Sequence, residues 1–203
     1  MQLWHKPRIN WDQASSFFPK LAEGEWIEIL WSMAVRENCP DVPLVFTGSR
    51  PSSQRVFQAL RLQGIHCQMA KPLLYNGLDL LTAPDLLMVA NETQYAVEVK
   101  TKDLHPFYMN VIIDQKEVAE LDEAARLLMQ EPIFCFHLRD QTELHPKEYL
   151  GDFDKRPPLS RFWVLSPDKL EDMPQWSTRD KITYRVPFAE LTPASVWLGC
   201  TDD

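Results

Sequence analysis

The stretch from Pro84 to Lys100, PDLLMVANETQYAVEVK, decides how this chain is read. Two apolar runs of strand length, rich in Val, Leu and Met, flank a short polar break, which is the pattern of a β-hairpin. Strands that read as core seldom carry charge, yet Asp85 opens the first run, and Glu98 and Lys100 sit two apart in the second. With the turn centred between Glu92 and Thr93, antiparallel pairing sets Leu87 opposite Glu98 and Asp85 opposite Lys100, and opposed residues share a face. Val97 and Val99 then point the other way, into the core. The three charges converge. Two carboxylates held close by rigid strands repel unless a cation lies between them, and such oxygen ligands suit Mg²⁺ or Mn²⁺. Relief of the same repulsion predicts that Asp85→Ala gains stability when no metal is bound. A metal and a lysine together, facing a phosphodiester, form a hydrolytic arrangement. The competing reading is a solvated sheet face with a cross-strand salt bridge.

Pro84-Asp85, twelve intervening residues and then Glu98-Val99-Lys100 resembles the motif of the PD-(D/E)XK nuclease superfamily, with the likeness running over about residues 50 to 135. The resemblance implies a restriction-endonuclease-like α/β fold, a mixed β-sheet core flanked by helices. It also implies Mg²⁺-dependent (or Mn²⁺-dependent) hydrolysis of nucleic-acid phosphodiesters, DNA rather than RNA. Asp85, Glu98 and the Val99 carbonyl would be the metal ligands, and Lys100 would assist the water. SSQRVFQALRLQGIHC is similar to the helix and strand that precede the hairpin in archaeal Holliday junction resolvases. YMNVIIDQKEVAEL is similar to their aromatic followed by a Gln that opens a helix, which places Gln115 among the catalytic residues. The family's acidic position on the helix before the first core strand falls on Gln54 in the best local match. Glu25 or Glu28 would supply that carboxylate if the earlier helix packs beside the hairpin. Residues 71–83 form an insertion with no assignment. Arg50, Arg55, Arg61, Lys102 and Lys116 are the expected phosphate contacts, and a symmetric homodimer would bring two sites to two strands. A second reading is a nuclease-fold chain that has lost catalysis and serves as a nucleic-acid-binding or assembly subunit. A third is an interaction domain of other ancestry, which a chain without the hairpin at 84–100 would favour.

The remaining sequence sets bounds. With 203 residues, 45% of them apolar, the chain can bury a sizeable core, and the expectation is a single nuclease-like domain over 1–203 with N-terminal helical and C-terminal strand-rich extensions. A net charge of −8 excludes bulk electrostatic wrapping of nucleic acid and leaves room only for a local basic groove. No run approaches the ~18 apolar residues of a membrane span, and the first residues lack the apolar core of a signal peptide, so a cytoplasmic protein is expected. Cys39, Cys67, Cys135 and Cys200 form no C-x-x-C and read as reduced, buried thiols. His66, His105, His137 and His145 lack ligand spacing. Glycine-rich phosphate loops and the G-x-S-x-G elbow are missing, which removes P-loop, Rossmann and lipase-like chemistry. Helices are expected over residues 23–38, 54–64 and 111–130, the last with capping-box spacing at Asp114 and Glu117. Strands are expected at PLVF, IHCQMA, PIFCFHL, RFWVLS and ITYRVPF. Trp163 in a strand and Trp176 in a loop are candidate interface residues.

Overall fold

A computed structural model describes residues 23–47, 51–62, 64–65, 67–69, 84–104, 107–139, 159–178 and 181–200. Arg50, Gln63, His66, His105, His145 and the 71–83 insertion lie outside the described residues. In chain order the elements are α1 (Glu23–Asn38), β1 (Leu44–Phe46), α2 (Pro51–Leu62), β2 (Gln68–Met69), β3 (Leu86–Ala90), β4 (Thr93–Asp103) and β5 (Asn110–Asp114). Then follow α3 (Gln115–Leu128), β6 (Glu131–Arg139), β7 (Phe162–Leu165), β8 (Gln175–Ser177), β9 (Ile182–Pro187), β10 (Thr192–Pro193) and α4 (Ala194–Leu198). A seven-stranded mixed sheet has the order β10-β7-β6-β4-β3-β1-β2, and β5-β9-β8 form a separate antiparallel sheet. Strand β4 lies at the centre, antiparallel to β3 and parallel to β6. The fold class is α/β, a mixed sheet flanked by helices, as the resemblance implied. Among the described residues no helix is long and apolar enough to cross a membrane.

Alternation along β4 divides the core in two. Val97 and Val99 pack with Ile27, Trp31 and Val35 of α1, Val56 and Leu60 of α2, and Leu198 of α4. Ala96 faces the other way, with Val118 and Leu121 of α3, Val111 and Ile113 of β5, and Phe134 and Phe136 of β6. Each large apolar side chain so buried contributes about 1.5–3 kcal/mol. Helix α1 is apolar nearly all round because it is covered by both α2 and the sheet. Gly64, at φ +72°, ends α2 and donates its N–H to the Arg61 carbonyl at 3.0 Å. The sheet continues beyond residue 135, since β6 runs to Arg139 and β7 and β10 extend its far side.

The hairpin forms, with a register that differs from the expectation. Leu86 pairs with Val97 and Ala90 with Thr93, so a two-residue Asn91-Glu92 turn closes it, not one centred at 92–93. Both turn residues have positive φ, 49° and 65°, as a type I′ hairpin requires. Asn tolerates that region, but Glu does not announce it, and the usual Asn-Gly signal is absent. Continuing the register places Asp85 across from Glu98 rather than Lys100. The two-residue slip preserves parity, so the charges still share one face. Glu92→Gly should therefore raise stability by about 1 kcal/mol by relieving left-handed strain, measured as a higher urea midpoint with unchanged slope.

Other expectations need correction. VIID is not the start of a helix: residues 110–114 pair with β9, and the helix begins at Gln115. The alternation Val111 in, Ile112 out, Ile113 in marks a strand, and the Asp114 side chain caps α3 by accepting the Lys116 N–H at 2.9 Å. Among the described residues of IHCQMA, Gln68–Met69 form the strand. Trp176 belongs to β8, exposed, with the Arg185 guanidinium 4.0 Å from its ring centroid, while Trp163 packs on Phe188. Cys39 and Cys200 are not reduced thiols but a disulfide joining the residue after α1 to the second residue after α4, across 161 residues. Cys67 and Cys135 are free, and burial pushes the Cys67 thiol up to about 11, against the smaller pull of Arg36 and Arg61. Closing so long a loop restricts the unfolded chain, so reduction should lower the unfolding free energy by about 3–5 kcal/mol. Urea titration with and without reductant reads this, and Cys200→Ser should abolish the difference.

Candidate metal and phosphate site

The candidate side chains around the hairpin are placed by its own strands or by elements packed on it. Asp85 lies just before β3 and is buried. Its Oδ2 accepts the Val99 N–H at 2.9 Å, so the carboxylate is tied to the neighbouring strand's backbone. Thr47, directly after β1, fixes the preceding peptide: its Oγ1 donates to the Pro84 carbonyl at 2.6 Å, and its N–H reaches the Asp85 carbonyl at 3.5 Å. Sequence reasoning passed over Thr47, since a Thr after a short strand has no distinctive signal.

Glu98 and Lys100 project from β4 on the face covered by α3, level with Phe134 and Phe136 of β6. Lys100 Nζ is 2.8 Å from Glu98 Oε1 and 3.7 Å from Glu117 Oε1. Lys102, two residues further along the strand, donates from Nζ to Glu117 Oε2 at 3.1 Å. Burial pulls the Lys100 pKa down, but the carboxylates of Glu98, Glu117 and Asp85 together outweigh it and leave it above the ordinary lysine value. Burial likewise pushes Glu117 up, and Lys102, Lys100 and the Asp114 N–H outweigh it and leave it lowered. Glu117 thus completes the capping box of α3 while facing two strand lysines. Only the first of those roles was visible in its spacing.

The remaining candidates are more dispersed. Gln115 is the first residue of α3 and is half-buried. Gln54 is exposed on α2. Glu25 and Glu28 are buried on α1, the helix that precedes β1 and packs on the Val97 and Val99 face of β4. Glu25 Oε1 accepts from Arg55 Nε at 2.9 Å, an ion pair joining α1 to α2, so two candidates neutralise each other. The hydrogen bond to Glu25 raises the Arg55 pKa. Lys116 is exposed and lies 3.5 Å from Glu120, one helical turn on.

The donor set can be tested against a divalent cation. Among the described residues no group of three or more His, Cys, Asp and Glu side chains could hold a metal. The hairpin offers two carboxylates, Asp85 and Glu98, and the adjacent Val99 carbonyl. A carboxylate has about four acceptor sites, so the Val99 N–H on one and the Lys100 ammonium on the other do not exclude a cation. Hard oxygens in this number fit Mg²⁺, which keeps several waters and often takes only one or two carboxylates plus substrate phosphate.

No family model matches the chain, and no curated protein matches it. Among solved structures it is similar to Hjc, a Holliday junction resolvase from the archaeal hyperthermophile Archaeoglobus fulgidus, over 60% of this chain and 78% of that one, at 15% identity and a TM-score of 0.37. A likeness that distant carries no assignment of residues or activity.

Proposed function

We propose that the chain is a metal-dependent nuclease hydrolysing phosphodiester bonds, acting on DNA. The observation that carries the reading is the hairpin register: carried one residue past the Leu86–Val97 pair, it sets Asp85, just before β3, across from Glu98, with the Lys100 ammonium 2.8 Å from Glu98. Asp85, Glu98 and the Val99 carbonyl would hold Mg²⁺ or Mn²⁺. When bound, the ion would lower the pKa of a water and offset charge on the phosphate. The Val99 N–H orients the Asp85 carboxylate, and Thr47 fixes the turn that carries it. In the metal-free chain, despite burial, the carboxylates around Lys100 hold its pKa above the ordinary lysine value, and in the proposed reaction the ammonium would donate a hydrogen bond to developing negative charge. Phe134 and Phe136, beside β4, lower the local dielectric and strengthen that interaction. Gln115, at the start of α3, would contact substrate, and Lys102, Lys116, Arg50 and Arg55 would meet phosphates. Two sites for two strands would come from a homodimer.

A second reading has its own observation. The described residues assemble no three-ligand group, and carboxylates already engage both Lys100 and Lys102. That suits a catalytically silent nuclease-fold subunit that binds nucleic acid or assembles with a partner. Incubating purified protein with plasmid, single-stranded and branched DNA, with Mg²⁺, Mn²⁺ or a chelator, separates the two. Metal-dependent cleavage supports the nuclease. Binding without cleavage in every metal supports the silent subunit.

A further inference from the structure

We propose that Glu117 is a positioning residue for the metal site, acting as the alternate partner of the Lys100 ammonium so that Glu98 can turn to a cation. This rests on the nuclease reading. Lys100 lies between two carboxylates, closer to Glu98 at 2.8 Å than to Glu117 at 3.7 Å. A carboxylate has acceptor sites for a divalent ion and an ammonium together, but the two cations repel at that distance, so metal binding at Glu98 favours moving Lys100 to another partner. Glu117 already flanks it, and the exchange needs no backbone movement.

The Glu117 carboxylate is held for that task. It accepts the Asp114 N–H at the start of α3, and its Oε2 takes Lys102 at 3.1 Å, which leaves Oε1 facing Lys100. A helix cap alone would explain the contact with Asp114. It would not explain two half-buried lysines from the central strand converging on the same group. Glu98, Glu117, Lys100 and Lys102 form a neutral quartet beside the Asp85 carboxylate, and the incoming cation changes which carboxylate Lys100 serves.

Calorimetric titration of Mn²⁺ into the full chain tests this in four forms: wild type, Glu117→Gln, Lys100→Met and the double variant. Gln retains the capping-box geometry, so the helix start survives. Glu117→Gln should weaken Mn²⁺ binding about fivefold, and in the Lys100→Met background the same change should cost less than about twofold, because no ammonium remains to relocate. Equal losses in the two backgrounds would mean that Glu117 acts on the ion through space and would overturn the proposal. No loss in either would make it a helix cap only. If the wild type binds no Mn²⁺, even with DNA present, the nuclease reading itself falls and this inference with it. Binding by the wild type with additive variants removes the inference alone.

Discussion

Asp85→Asn is expected to lose metal-dependent cleavage by about 10³-fold or more while the thermal midpoint moves by less than about 4 °C. The asparagine carbonyl can still accept the Val99 N–H that Asp85 Oδ2 holds at 2.9 Å, so the strand contact persists. What disappears is the anionic ligand. Asp85→Ala would be a poorer test of chemistry. Repulsion between carboxylates suggested that it stabilises the metal-free chain, but Asp85 is buried and occupied by backbone. Removing it strands a buried N–H, at a cost of about 1–3 kcal/mol. The pair of variants separates the two roles: Asn should lose cleavage with near-native melting, whereas Ala should lose both. Wild-type rates for Asp85→Asn, measured on the same DNA and metal, would remove Asp85 from the site.

Lys100→Met should produce opposite shifts in two measurements. Cleavage should fall about 10²–10³-fold, because one pre-placed donor to the developing phosphate charge is gone. Metal affinity should rise, because the ammonium competing for Glu98 is gone too. A loss of both would instead mean that the variant has disturbed the hairpin. The pH behaviour follows from the same group. The Lys100 pKa is raised, so its stabilising contribution is fully present below the ordinary lysine value and is lost as pH rises through the folded one. The Glu117 pKa is lowered, so its contribution is present above the ordinary glutamate value and is lost as pH falls through the folded one. The contribution of this pair should therefore be flat through neutrality, and Glu117→Gln should blunt the acid limb below about pH 4.5. Thermal scans across pH read this directly.

The charged hairpin was legible because charge in a Val- and Leu-rich strand conflicts with burial, and because a period of two assigns each residue to a face without knowing the turn. The register was not, since Asn91-Glu92 adopts a glycine-type turn without glycine. Glu117 was legible as a cap from local spacing, but its approach to Lys100 and Lys102 depends on how α3 lies across β4. That is a tertiary fact. The Cys39–Cys200 bond is likewise set by where α4 returns to α1, after 161 residues that no spacing rule spans. The Val-Ile-Ile-Asp strand was hidden because a short apolar run before a strong helix fits either period.

The most direct measurement is the anomalous difference density of crystals soaked in Mn²⁺. An ion between the Asp85 and Glu98 carboxylates, with Lys100 turned toward Glu117, is the expected result. Crystals that hold Mn²⁺ elsewhere, or that show no ion at the hairpin even with bound DNA, would contradict a metal-dependent site built on Asp85 and Glu98.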